Sequence, residues 1–229
     1  FTNGERRVQK VNAAVAPVTG AKSDGQIVVD MMKSLGYDQG DYDPATLLEE
    51  ISDIVPFFAG ITWENLGTQG LQWPVNGQGE DTKILHTETF KRGKGKFHFF
   101  EFEESNEVEK HGENYPYILT TSRDLVHYNA GTMTRRTSNN EIMSEDVLLI
   151  SKKDAADKGI STGASVKLFS DRGEIQLNAL VSDKVNPGVV FTTFHFPELM
   201  INRVTSDEHD AHTMCPEYKV VSVDFCLAE

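Results

Sequence analysis

The stretch Tyr-Ile-Leu-Thr-Thr-Ser-Arg-Asp-Leu-Val-His-Tyr-Asn-Ala-Gly-Thr-Met-Thr-Arg-Arg-Thr, residues 117–137, changes character in its middle. Up to Ser122 it is rich in aromatic, apolar and β-branched side chains, which suits a buried strand. From Arg123 onward almost every side chain is a hydrogen-bonding one, punctuated by Gly131. A strand feeding such a loop gathers many donors at one end of a sheet, and loops held by a rigid scaffold are where binding residues collect. Arg123, Arg135 and Arg136 against Asp124 leave the stretch at +2 in a chain whose net charge is −13. The pattern fits a polar, anionic, ring-bearing ligand such as a nucleotide, because arginine offers phosphate a planar fork of donors. The competing reading of the same residues is a surface loop with ordinary turn chemistry.

The rest of the composition sets the frame. A chain of 229 residues has room for one large or two modest cores. Its strongly acidic balance argues against non-specific nucleic-acid binding, which needs a positive field. Two cysteines, Cys215 and Cys226, are too few for a disulfide framework and make a reduced, cytoplasmic setting the expectation. No apolar run approaches the length of a membrane-spanning helix, so no membrane insertion is expected. The opening Phe-Thr-Asn-Gly-Glu-Arg-Arg-Val-Gln reads like the middle of a protein and is expected to belong to a longer one.

On either side of the central stretch the pattern differs. Thr2, Asn3 and Glu5 predict a helix start. Ser23 and Asp24 predict a capped helix to Leu35 with Ile27, Val28, Met31, Met32 and Leu35 on its apolar face, the methionines as core filler, and Gly36 as the stop. Asp43-Pro44 opens a second helix through Ile54. Residues 60–79 hold five glycines and read as loop. Arg92-Gly93-Lys94-Gly95-Lys96-Phe97 reads best as a β-hairpin turn, with a phosphate cradle as the weaker option, since the flanking pattern of a P-loop is missing. Residues 101–113 carry six acids against one lysine and predict a solvated linker. Beyond Tyr115 short strands are expected at residues 147–150, 165–169, 174–181, 189–194 and 217–225. Ser151 should cap a short helix stopped by Gly159, and residues 170–173 should form a hairpin with Gly173 left-handed. Six strands with one short helix and no long free edge fit a small closed barrel.

Residues 122–137 resemble the pterin-dinucleotide motif that opens the last domain of molybdenum- or tungsten-dependent formate dehydrogenases, within the wider molybdopterin-guanine-dinucleotide oxidoreductases. Met-Thr-Arg-Arg alone is shared with nitrate reductases. The formate dehydrogenase resemblance is strengthened by Gly-Val-Val-Phe-Thr-Thr-Phe-His-Phe-Pro-Glu at 188–198, Ile-Asn-Arg-Val-Thr at 201–205 and Cys-Pro-Glu-Tyr-Lys at 215–219, and it covers nearly the whole chain. Asn3, Glu5, Arg6, Arg7 and Gln9 also match a segment of the family's large cofactor-binding part.

The resemblance implies a mixed α/β chain. Residues 1–83 would be the tail of a larger α/β domain and 84–113 a linker. Residues 114–229 would be a six-stranded double-psi β-barrel that binds the dinucleotide. It also implies that Arg123, His127, Met133, Thr134 and Arg135 contact pterin, phosphate or nucleoside atoms, with Thr121, Ser122 and Asp124 beside them. Asn202, Tyr218 and Lys219 would complete the cover from the far side. For Arg136 the competing reading is an ion pair with a nearby acid such as Glu141.

The implied cofactor is bis-molybdopterin guanine dinucleotide carrying molybdenum or tungsten, with an iron–sulfur cluster only upstream of this chain. The implied partners are the remainder of a formate dehydrogenase α subunit and electron-transfer subunits. No catalytic residue and no direct metal ligand is expected here, and the chain alone is expected to be inactive. His209, His212 and Cys215, with His195 upstream, offer a rival zinc site that lacks the usual paired spacing. The alternatives in function are a nitrate reductase relative and a non-catalytic respiratory subunit that kept the barrel.

Overall fold

The computed structural model describes residues 1–103 and 105–228, so Glu104 of the acidic stretch and Glu229 lie outside it. The chain forms two compact units, Phe1–His98 and Phe99–Glu229.

In the first unit, strand β1 (Arg7–Val8) pairs with β2 (Leu71–Gln72), and helices α1 (Asp24–Ser34) and α2 (Pro44–Ile54) lie between them in sequence. Both helices begin where their caps dictate. The Ser23 hydroxyl accepts from the Gln26 amide, and the Asp43 carboxylate accepts from the amides of Ala45 and Thr46. No helix starts at Thr2. Instead the Asn3 side chain accepts from the amides of Glu5 and Arg7, an Asx turn that satisfies the backbone locally and leads into β1. Val8, Leu48, Ile61 and Leu66 form the small core. The expected apolar face of α1 is not core: Met31 is 61% exposed, Ile27, Val28 and Leu35 are also exposed, and only Val29 is buried. Residues 91–98 have no flanking strands, so the expected hairpin there is absent. No helix among the described residues is long and apolar enough to cross a membrane.

The second unit is a closed barrel. After helix α3 (Asn106–His111) come β3 (Tyr117–Thr121), helix α4 (Asn139–Ile142), β4 (Val147–Ser151), helix α5 (Lys152–Asp157), β5 (Ser165–Phe169), β6 (Glu174–Ser182), β7 (Val189–Thr192) and β8 (Val221–Leu227). The strands close in the order β3-β7-β4-β6-β5-β8, with parallel pairs β3·β7 and β4·β6. This is the double-psi barrel that the resemblance implies. Alternate residues point inward, as a half-buried strand requires, and Leu119, Leu148, Ile150, Val166, Leu168, Val190, Val221, Val223 and Phe225 have no exposed surface. The last strand begins at Val221, later than expected: Glu217 donates its amide to the Glu208 carbonyl, and the Tyr218 carbonyl accepts from the Thr121 amide and hydroxyl, before regular pairing starts. Gly173 is not left-handed; a Cβ there would sit 2.9 Å from the Arg203 carbonyl oxygen, so close approach of two loops is what the position demands.

The acidic stretch is not simply solvated. Glu107 on α3 is fully buried and receives both arms of the Arg172 guanidinium at 3.0 and 2.8 Å, the Ser206 hydroxyl at 2.9 Å and the Ser222 amide at 2.9 Å. Burial alone would raise its carboxyl pKa. The Arg172 fork and the two further donors outweigh that and hold it below the ordinary value. The group therefore stabilises the fold above the ordinary carboxylate range and loses that contribution as pH falls through its folded pKa.

Glu107→Gln is expected to cost about 2–3 kcal/mol at neutral pH, because it leaves Arg172 partly uncompensated. In urea titrations, the gap between wild type and variant should narrow as pH drops below 4.5, the ordinary carboxyl value. A gap of equal size at pH 7 and pH 3.5 would show that the carboxylate charge is not what matters.

Candidate functional site

Strand direction decides which loops meet. Parallel β3 and β7 run side by side with Thr121 opposite Thr192, so both chains leave the barrel at one end. Antiparallel β8 enters at that same end, with Val221 opposite Leu119, and β4 does likewise, with Leu149 opposite Phe191. The loops after β3 and β7 and the segments before β4 and β8 are thus gathered on one rim.

A buried carboxylate fixes this rim. Asp146, just before β4, accepts the Thr193 hydroxyl and the backbone amides of His195 and Phe196, the last at 3.0 Å. His195 is fully buried in consequence. Its Nε2 accepts the Asp124 amide at 2.9 Å, while Nδ1 faces the Asn129 carbonyl oxygen and must donate to it. One ring thus takes the neutral Nδ1–H tautomer and clips both ends of the 124–129 loop to the loop after β7. Asn129 is left-handed, at φ 49°, a conformation that asparagine tolerates better than most residues.

Several of the expected binding residues are engaged in shaping the rim. The His127 ring bonds the Thr134 hydroxyl at 3.0 Å and the Met143 carbonyl at 2.8 Å, so both of its nitrogens are committed. Thr134 also accepts the Tyr128 amide. Arg135 meets Glu198 through two parallel bonds of 3.0 and 2.9 Å and lies 4.5 Å over the Phe196 ring. Hydrogen bonding to that guanidinium holds the Glu198 carboxyl below its ordinary value. Gly131 makes room for the pair: its φ is +68°, and a Cβ there would stand 2.5 Å from Arg135 Cδ and 2.6 Å from the His195 carbonyl oxygen. Thr121 donates its hydroxyl to the Tyr218 carbonyl at 2.8 Å, and Lys219 reaches back to the Thr121 carbonyl. The Asp124 side chain accepts from the Val126 amide.

Other expected binding residues are open. The Ser122 hydroxyl, the Arg123 guanidinium, the Asn202 amide and the Tyr218 hydroxyl have no hydrogen-bonding protein partner among the described residues; Arg123 only lies 5.6 Å over the Phe194 ring. Met133 is 65% exposed. Among the described residues no contact ties Asn202 to the 121–135 group; it lies in a 3₁₀ turn, Ile201–Arg203, that follows the one holding Glu198 in sequence. Arg136 makes no ion pair with Glu141 or any other carboxylate among the described residues.

Sequence reasoning did not single out Asp146 or Glu198, and considered His195 only for zinc. The run Thr193-Phe194-His195-Phe196-Pro197-Glu198 held the signal, but nothing in it says which side chain turns inward. Among the described residues no three His, Cys, Asp or Glu side chains are grouped to hold a metal ion, and Cys215 and Cys226 are free and exposed.

Residues 117–222 match the family model described as Molydopterin dinucleotide binding domain. The chain is 38% identical over 228 residues to the F420-dependent formate dehydrogenase 2 subunit alpha of Methanococcus maripaludis, covering 97% of this chain and 34% of that one. It is likewise 38% identical over 227 residues to the F420-dependent formate dehydrogenase subunit alpha of Methanocaldococcus jannaschii, again 97% and 34%. Among solved structures, acetylene hydratase from Pelobacter acetylenicus matches with a TM-score of 0.46 and 16% identity over 51% of this chain and 19% of that one. The chain spans about a third of the length of the curated relatives it matches. Its barrel is thus similar to a molydopterin dinucleotide binding domain, and 97% of the chain aligns with formate dehydrogenase α subunits.

Proposed function

We propose that this chain is the part of a formate dehydrogenase α subunit that covers the pterin dinucleotide, in an enzyme that takes two electrons and a proton from formate to release carbon dioxide. The observation that carries the reading is the rim itself. Four loops converge there on a frame fixed by Asp146 and His195, and the side chains left open on it are a cation and two hydroxyls.

That donor set fits the group. A dinucleotide rich in ring nitrogens and phosphate oxygens needs neutral donors and a few cations. Arg123 would meet a phosphate or a ring carbonyl, with its guanidinium steadied on Phe194. Ser122, Asn202 and Tyr218 would bond ring or ribose atoms, and Met133 would pack on a ring face. Thr121, Asp124, His127, Thr134, Arg135 and Lys219 would act mainly by holding these groups in place. When bound, the bis-molybdopterin guanine dinucleotide supplies the redox chemistry of its molybdenum or tungsten. The residues of this chain orient it and exclude water. An iron–sulfur cluster and the metal's protein ligand belong to the rest of the α subunit, which is the first partner, followed by electron-transfer subunits. The setting is the cytoplasm. A nitrate reductase reading is disfavoured by the match of the whole chain to formate dehydrogenase subunits.

Two substitutions test the reading. Arg123→Ala in the full-length subunit should lower molybdenum or tungsten and pterin content roughly ten-fold or more, the loss of one charge-assisted contact of about 1.5–3 kcal/mol. Unchanged metal content with full formate oxidation would remove Arg123 from the site. Gly131→Ala should cost about 2–3 kcal/mol in urea unfolding, because a left-handed backbone and two close neighbours both oppose the added carbon. It should reduce cofactor content as well. A variant as stable as wild type would mean that the Arg135 stem and the 195 loop yield freely.

A further inference from the structure

The cofactor reading leaves the run Phe90-Lys91-Arg92-Gly93-Lys94-Gly95-Lys96 unused, and this run borders an open trough in the first unit. The trough has a volume of about 1020 Å³, with Phe57, Trp73, Pro74, Ile84, Leu85 and Phe90 as its apolar lining. The segment that brings Trp73 and Thr82 to it is tied down. The Arg6 guanidinium donates to the Trp73 carbonyl, to the Thr82 carbonyl at 3.0 Å and to the Lys83 carbonyl at 2.9 Å. The rings are already packed: Lys91 lies 4.5 Å over Phe57, Phe57 meets Trp73 at 5.4 Å, Arg6 lies 5.6 Å over Trp73, and His86 meets Phe90 at 4.9 Å. They make a wall rather than a slot for a stacked base, and the apolar group left most open is Ile84, at 72% exposure.

Charge decides what can lie there. Lys91, Arg92, Lys94 and Lys96 place +4 on residues 91–96 of a chain whose net charge is −13. No carboxylate lines the trough, and none of these four side chains makes an ion pair or a hydrogen bond among the described residues. Elsewhere the surplus of acids does find the lysines: Lys22, Lys33, Lys152 and Lys153 are each paired. Like charges strung along so short a segment repel one another, and an occupant bearing carboxylates relieves that repulsion.

We propose that this trough docks an acidic, aliphatic segment of a partner protein. The segment's carboxylates meet Lys91, Arg92, Lys94 and Lys96, and its apolar side chains lie against Pro74, Ile84 and Leu85. Both halves of the surface are needed: the cations steer and orient the segment, and the apolar strip supplies burial that a bare anion could not use. The proposal goes beyond the cofactor reading and does not rest on it.

A short synthetic peptide alternating Glu with Leu is the probe. The chain's two tryptophans are Trp63 and Trp73, and Trp73 alone lines the trough, so binding should shift the emission of wild type and not of Trp73→Phe. Lys94→Glu with Lys96→Glu should weaken binding roughly ten-fold or more, and Ile84→Ser about three- to ten-fold. All of these side chains are exposed or partly so, and melting temperatures should stay near that of wild type. Lys152→Glu with Lys153→Glu, the same change of charge on α5, should bind as wild type does. No peptide binding by the wild type, an equal loss in the α5 pair, or equal affinity for a peptide alternating Lys with Leu would each overturn the proposal. Binding of phosphatidylserine vesicles without binding of the peptide would overturn it in favour of a membrane surface. Amine labelling should modify Lys94 and Lys96 in the full-length subunit as readily as in this chain. Their protection in the subunit alone would show the rest of the subunit covering the trough, and would overturn a separate partner. None of these readouts involves the pterin, so their failure is separable from an unchanged metal content in Arg123→Ala.

Discussion

A buried carboxylate that meets no cation among the described residues holds this molecule's working end together. Asp146 sits at 4% exposure, surrounded by the amides of His195 and Phe196 and the hydroxyl of Thr193. A carboxyl group so placed is tolerable only because donors replace its lost water. Their directions are then no longer free, since each must point at the same two oxygens. The chain after β7 is bent around that requirement, which presents His195 to the neighbouring loop. The imidazole passes the constraint on through one donated and one accepted bond. The open side chains near Arg123 owe their location to a group that need never touch a ligand.

Much of this was legible in the sequence. Ser23, Asp43 and Ser151 each predicted a helix start, and each side chain caps the helix that follows. The short apolar runs and turn residues marked the barrel strands to within a few positions. Local chemistry of this kind is decided within four or five residues, and so can be read without knowing the fold. What escaped were the long-range polar contacts. Glu107 looked like one more acid in a solvated run, yet it is buried, because residues 65, 99 and 115 positions away bring it partners. The α1 apolar stripe was read as core because its spacing is right, but spacing does not supply a surface to pack against.

The site was legible as a region and less so as a set of roles. The arginines of the Met133–Arg136 run are chemically alike in the sequence, and only the position of Glu198, more than sixty residues on, separates them. The same holds for His127 and Thr134, which satisfy one another across seven residues. A loop dense in donors must use most of them internally to have any fixed shape, because unpaired polar groups leave the backbone mobile. The useful distinction within such a loop is between groups that build it and groups it leaves over.

The barrel's pairing order bears on how the chain acquires its structure. Only β5 and β6 are neighbours both in sequence and in the sheet; every other contact, including the parallel pairs, joins segments that are far apart along the chain. Closure waits on β8, which seals the gap between β3 and β5. During synthesis the strands already emerged from the ribosome would therefore stand with unsatisfied edges until that last one arrives. Non-local pairing of this kind folds more slowly than a helical domain of equal size and leaves strand edges unpaired in the meantime.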